Sequence, residues 1–216
     1  MDNRVENLTM NAVQETGLDT TATLPQEKIA MALQGKKAIL AVSGGIAAFK
    51  ALTVVRLLKQ HGADPFVVMT AHATQFIAPE SFAMWSGHPV SVDLFAPLKT
   101  WDMEHIALAH GADLVLVVPA TANFLAKFAT GTADDLLSTL LVVIAARAPI
   151  FLAPAMNTHM YTNEVVQHHL TTLRQKPHIH VIEPEHGRLA STLEGEGVGR
   201  LAEPDTILDH VLTRLR

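Results

Sequence analysis

The 216-residue chain has no cysteine. This absence excludes a disulfide framework, a thiolate-held zinc or iron–sulfur centre, and a cysteine nucleophile. It leaves the redox compartment open. A basic surplus is also missing: 16 Lys and Arg stand against 21 Asp and Glu, a formal charge of −5. That balance argues against nucleic acid or an acidic membrane surface as the main partner. Long apolar runs are absent as well. The longest, Leu136 to Met156, is broken by Ser138, Thr139, Arg147, Pro149 and Pro154, short of the roughly 20 residues a bilayer span needs. The first residues, MDNRVENLTMNAVQ, are acidic and carry no apolar core of a signal peptide, so a cytoplasmic protein is expected. Aromatics make up only 5%, yet the mean hydropathy is +0.23. With so few aromatics, that value points to apolar surface covered by other subunits.

What is present begins at about residue 36. Residues 1–35 are polar and weakly patterned and read as an extension, with residues 36–216 forming one domain, a size ordinary for an α/β core. Short β-rich runs then alternate with helical stretches: Ala38 to Val42, Phe66 to Met69, Leu114 to Val118, Ile150 to Ala153 and His180 to Ile182. Continuous hydrophobicity in such strands means that both faces are covered, as in a parallel sheet. Helices are predicted at residues 46–61, 73–86, 122–129, 134–146, 164–175 and 204–215, and in the first of these Ile46, Leu52, Val55 and Leu58 share one side. The expected architecture is a three-layer α/β/α fold with a flavodoxin-like or Rossmann-like parallel sheet.

Ligands of such sheets gather beyond the carboxyl ends of the strands. After the first strand stands Ser43-Gly44-Gly45-Ile46, where paired glycines let backbone amides approach a phosphate. This run matches neither G-x-G-x-x-G nor the Walker pattern, so a tight turn without ligand fits equally. Thr70, after the second strand, suits either the same anion site or a helix cap. The third strand is followed by Pro119-Ala120-Thr121-Ala122-Asn123 and the fourth by Pro154-Ala155-Met156-Asn157, small and amide-bearing residues against which a large flat ligand can lie. The late run Glu194-Gly195-Glu196-Gly197-Val198-Gly199-Arg200 has glycines enough for a mobile flap. Twelve histidines invite a metal site, but His168 and His169 diverge on a helix and no H-E-x-x-H occurs, so none is expected. His105 lies in what reads as an irregular stretch before the third strand.

Four motifs in this order resemble the flavin-dependent cysteine decarboxylase family: Ser43 to Lys50, His105-Ile106-x-Leu108, Pro119 to Asn123, and Pro154-Ala155-Met156-Asn157-x-x-Met160-Tyr161. The resemblance covers about Lys37 to Leu212. The closing Gly197-Val198-Gly199-Arg200-Leu201-Ala202-Glu203-Pro204 resembles the phosphopantothenoylcysteine branch more than the peptidyl-cysteine branch. What the resemblance implies is FMN held at the strand ends, often between subunits of a trimer or of a dodecamer of trimers. It implies Ser43, Gly44, Gly45 and Thr70 at the phosphate and Thr121, Ala122 and Asn123 at the flavin, with Ile46, Pro119 and Ala120 completing the cofactor set. His105 is the implied catalytic histidine. Asn157, with Ala155 and Met156, is implied to grip the substrate carboxylate, with Met160 and Ser191 beside the substrate.

Two departures from the family pattern bear on the reaction. Where that branch carries a flap cysteine, this chain reads Arg188-Leu189-Ala190-Ser191, and a hydroxyl cannot take up the sulfur redox role of a thiolate. Asp134-Asp135 also stands where an Asn-Asp or Asp-Asn pair is usual. The expected activity is decarboxylation of 4′-phosphopantothenoylcysteine to 4′-phosphopantetheine in coenzyme A synthesis. The alternatives are oxidative decarboxylation of a peptide's C-terminal cysteine to an aminoenethiol, and an idle flavin-binding subunit.

Overall fold

The computed structural model describes residues 32–96, 104–144, 147–191 and 195–215, with the side chains of Glu104 and His105 outside that set. Five strands form one parallel sheet: β1 (Lys37–Val42), β2 (Asp64–Met69), β3 (Leu114–Ala120), β4 (Ile150–Pro154) and β5 (Ile179–Val181), in the order β2-β1-β3-β4-β5. This is the flavodoxin-like order, and the chain reverses direction across the sheet between β1 and β3.

The continuous apolar strands have the physical cause expected of them. In β1, Ala38, Leu40 and Val42 enter one core while Ile39 and Ala41 enter the other. β3 divides its residues in the same way, with Leu114, Leu116 and Val118 on the first face and Val115, Val117 and Ala120 on the second. Strands with period-two side chains and a core on each side have no polar face to show. The first core lies beneath helices α1 (Ala51–Gln60), α2 (Pro79–Ser86) and, closing the chain, Pro204–Arg214. The second lies beneath α3 (Glu104–Ala109), α4 (Ala122–Thr130), α5 (Leu136–Ile144) and a helix at Glu164–Arg174.

Local chemistry sets several helix bounds. The Thr121 hydroxyl accepts from the Phe124 amide to open α4, and Gly131 closes it in the left-handed region. Three expectations are corrected. The helix expected over 46–61 begins as a 3-10 turn, Ile46–Lys50, and becomes α-helical only at Ala51. The three-residue period of that turn takes Ile46 off the apolar stripe, and it is 60% exposed while Val55 and Leu58 are buried. The helix expected over 73–86 is split into a 3-10 turn, Ala73–Gln75, and α2, because Ala78 precedes Pro79 and takes an extended conformation. The stretch holding His105, read as irregular, is helical in α3.

Beyond β4 come α6 (Thr158–Thr162) and α7 (Glu164–Arg174). An antiparallel hairpin, β6 (Glu185–Arg188) and β7 (Glu196–Arg200), then leads into α8 (Pro204–Arg214). The glycine-rich run expected as a flap therefore forms a strand over Glu196–Arg200. Leu33, within the expected extension, is buried in the first core and its amide donates to the His61 carbonyl at 3.0 Å. Residues 1–31 lie outside the described residues.

Candidate functional site

The turns after β1, β3 and β4 meet the hairpin around a cavity of about 760 Å³, well within the size range of cofactor and small-molecule sites. It opens at the switch point, where strand order reverses and two turns diverge to leave a crevice. Gly44, Gly45 and Ile46 line it from the first turn, Pro119 and Thr121 from the second, and Ala155, Met156, Asn157 and Met160 from the third, while Ser191 lines it from the hairpin.

The first two turns are tied together by a residue that lies behind the cavity wall. Ser43 is 1% exposed. Its hydroxyl donates to the Pro119 carbonyl at 2.7 Å and accepts from the Thr121 amide at 3.1 Å. One hydroxyl thus satisfies two buried backbone groups that the diverging strands leave unpaired. Gly44 has no room for a side chain: a Cβ there would strike the Cβ and backbone of His72, with 2.8 Å to the His72 carbonyl carbon. At Gly45 a Cβ would stand 3.3 Å from the Thr121 methyl, closer than an ordinary van der Waals contact.

Thr70 is also buried and off the cavity, with its hydroxyl accepting from the Ala73 amide at 3.2 Å to cap the following 3-10 turn. Ala120 is fully buried in the second core, and its carbonyl accepts from the Ala155 amide at 3.2 Å. Ala122 and Asn123 occupy the first turn of α4 outside the lining, and Asn123 is exposed. Asn157 caps α6, its side-chain oxygen accepting from the Met160 amide at 2.7 Å. The His105 backbone is in the first turn of α3, and its side chain lies outside the described residues.

The hairpin is bolted to the third turn, which explains its glycines. The Met156 amide donates to the Gly199 carbonyl at 3.0 Å, and the Thr158 hydroxyl donates to the Val198 carbonyl at 2.8 Å. A Cβ on Gly199, whose φ is +126°, would meet the Met156 carbonyl oxygen, and one on Gly197 would meet the Thr158 hydroxyl. Gly199 serves the close approach of two backbones, and Gly197 leaves room for the Thr158 side chain.

Four charged lining residues carried no assignment in the sequence reading: Lys50, Arg188, Arg200 and Glu203. Lys50 reaches Glu203 at 3.0 Å, Arg200 pairs with the same carboxylate, and Arg200 also lies 3.8 Å from Glu185. Burial and then the neighbouring Arg200 guanidinium hold Lys50 below the ordinary lysine range, with Glu185 opposing them. Position at the end of the first motif was the one signal that marked Lys50. The expected departure at Asp134-Asp135 falls elsewhere: both carboxylates pair with Lys127, at 2.7 and 2.9 Å, outside the cavity lining. Among the described residues no cluster of side chains fits a metal ion.

Fold and site together define a doubly wound α/β protein with its ligand cavity at the switch point, and the chain belongs to the Flavoprotein family, whose sequence model matches residues 27–216. Within that family it is 42% identical over 177 residues to the coenzyme A biosynthesis bifunctional protein CoaBC of Haemophilus influenzae, an alignment covering 82% of this chain and 43% of that protein. The chain thus spans under half the length of the curated relatives it matches. Among solved structures it is similar to a cysteine-to-serine mutant of PPC decarboxylase complexed with pantothenoylaminoethenethiol, with a TM-score of 0.74 and 29% identity over 84% of this chain and 98% of that one. The FMN-dependent cysteine decarboxylase SpaF is similar too, with a TM-score of 0.70 and 29% identity over 85% and 98% of the two chains.

Proposed function

We propose that the chain is an FMN-dependent decarboxylase of a cysteine-derived thiol carboxylate, acting on 4′-phosphopantothenoylcysteine in the cytoplasm for coenzyme A synthesis. The observation that carries the reading is the convergence of the Gly44-Gly45 turn, the Pro119–Thr121 turn and the Ala155–Asn157 turn on one cavity. The glycine cradle fits a phosphate-bearing flat cofactor, since a Cβ at Gly45 would intrude between the turns that wall it. Gly44, Gly45 and Ile46 would hold the phosphate end, and Pro119, Thr121, Ala122 and Asn123 the ring. Ser43, Thr70 and Ala120 would act from behind by fixing those turns.

When bound, FMN supplies two-electron oxidation of the thiol-bearing carbon, giving a substrate thioaldehyde able to accept the electrons released with carbon dioxide. The chain's residues position the substrate for that loss. Asn157 carries amide donors suited to a carboxylate, on a side chain whose direction is set by its cap on α6. Met156, Met160 and Leu189 make the neighbouring wall apolar, a setting that favours a neutral leaving group over a charged carboxylate. His105, in α3, is the residue assigned to proton handling.

Ser191 on the lining favours a second form of the same reaction, ending at the enethiol, because a hydroxyl has no redox couple with the substrate sulfur. We also assign the chain to a homo-oligomer, supported by the exposure of Ile46 and Phe49, at 60% and 57%, on the cavity rim; a trimer or dodecamer is what the resemblance implies. Mass spectrometry after incubating the FMN-loaded protein with phosphopantothenoylcysteine tests the reaction. A loss of about 44 Da identifies the saturated thiol, a loss of about 46 Da the enethiol, and an unchanged mass refutes the proposal.

A further inference from the structure

The cavity's charges are unequally committed. Lys50 and Arg200 share Glu203, and Arg200 also faces Glu185, so two cations are matched by two carboxylates. Arg188 ends β6 on the cavity lining and makes no ion pair or side-chain hydrogen bond with any described residue. Glu196 lies opposite it in the ladder and is itself exposed, yet the two side chains form no ion pair. Among the described residues, the hairpin therefore presents one guanidinium without a carboxylate partner to the cavity.

Such a group invites an anion, and the proposed substrate has two. The reacting carboxylate must give up its charge as carbon dioxide leaves, so a cation held on it would stabilise the ground state and raise the barrier. The phosphate at the far end keeps its charge throughout. A guanidinium on a phosphate monoester adds binding without opposing the chemistry, and its planar fork suits two phosphate oxygens. On the proposed function the cofactor phosphate would lie at Gly44-Gly45, in a different part of the chain.

We infer that Arg188 anchors the phosphate monoester of the substrate and makes the enzyme selective for the phosphorylated form, an inference that rests on the proposed reaction. The FMN-loaded enzyme is assayed with phosphopantothenoylcysteine and with pantothenoylcysteine, as wild type, R188A and R188K. In R188A the kcat/KM for the phosphorylated substrate falls by about 10- to 100-fold, chiefly through KM, and the preference between substrates collapses toward one. R188K recovers part of the preference through its point charge. Equal loss on both substrates, or none on the phosphorylated one, overturns the inference. So does a matching fall in FMN affinity of the apoenzyme, which would assign the guanidinium to the cofactor. Calorimetric titration with 4′-phosphopantetheine and pantetheine gives the same contrast without turnover, and equal affinities in the wild type also overturn it. A wild type that binds the phosphorylated ligand more tightly yet releases no carbon dioxide sinks the decarboxylase reading while the anchor stands.

Discussion

The two halves of the cavity are made of different material. On the sheet side, Gly44, Gly45, Pro119 and Thr121 present backbone and small neutral groups, braced by the buried Ser43 hydroxyl. On the other side, Arg188 and Arg200 of the hairpin and Glu203 beyond it present charge, with Lys50 reaching Glu203 from the 3-10 turn after β1. A wall of backbone on rigid strand ends is preorganised and tolerates one shape of ligand. A wall of long charged side chains discriminates by charge and is free to differ between relatives that keep the same fold. On the proposed function, cofactor binding and substrate choice would be held by separate walls of the cavity, joined where β7 docks on the turn after β4.

The strongest way to break that division is at the joint. Gly199→Val sets a β-branched side chain at a positive φ against the Met156 carbonyl, and the combined strain and overpacking are expected to cost about 2–5 kcal/mol in urea denaturation. If the halves are separate, substrate KM rises far more than FMN affinity falls in the population that stays folded. An equal loss of both would merge the halves into one.

Ser43→Ala probes the opposite side. It removes the acceptor for the Thr121 amide and the donor to the Pro119 carbonyl, and a loss of about 1–3 kcal/mol in thermal or chemical denaturation is expected. FMN affinity should fall with little change in the preference between phosphorylated and unphosphorylated substrates. A changed preference would contradict the division.

Asn157→Ala tests the seam between them. Loss of the α6 cap is expected to cost about 1 kcal/mol, and kcat should fall further than that destabilisation explains. Asn157→Asp preserves the cap oxygen but would set a like charge beside a carboxylate bound as proposed, so recovery of stability without recovery of turnover separates the cap from the proposed binding role.

The smallest effect belongs to charge that lies outside the cavity. Burial alone would raise the Asp135 carboxyl, but hydrogen bonds from the Ser138 amide, Lys127 and the Ser138 hydroxyl together hold it below the ordinary carboxylate range. Its contribution to stability is therefore present above the unfolded pKa and is lost as pH falls through the folded one. Lys127→Met weakens that hold, so the acid-unfolding midpoint should move upward, by less than about one pH unit. Neither FMN affinity nor substrate preference is expected to follow it.

The strand-end glycines of the sheet side were legible because their signal is local. The caps made by Thr121 on α4 and Asn157 on α6 are just as local, but sequence reasoning assigns those residues to ligand and marks no helix at Thr158–Thr162. The hairpin side was not legible in the same way. Gly197 and Gly199 look like loop residues in isolation, yet they lie in a strand where the Thr158 side chain presses on the first and the Met156 backbone on the second. Position leaves Ser43 and Thr70 open between an anion site and a structural role, and the resemblance implies the phosphate; in the structure their hydroxyls bond backbone groups.

By itself the sequence determined the α/β class, the strands and the turns that matter, because unbroken apolar runs and turn residues express rules that operate over a few residues. Only the tertiary structure decided the strand order β2-β1-β3-β4-β5, the closure of the cavity by the hairpin, and which lining cations pair with which carboxylates. Those depend on contacts between residues 43 and 119, 50 and 203, or 156 and 199. No local propensity records such pairings, since their energies arise only when distant segments are brought together.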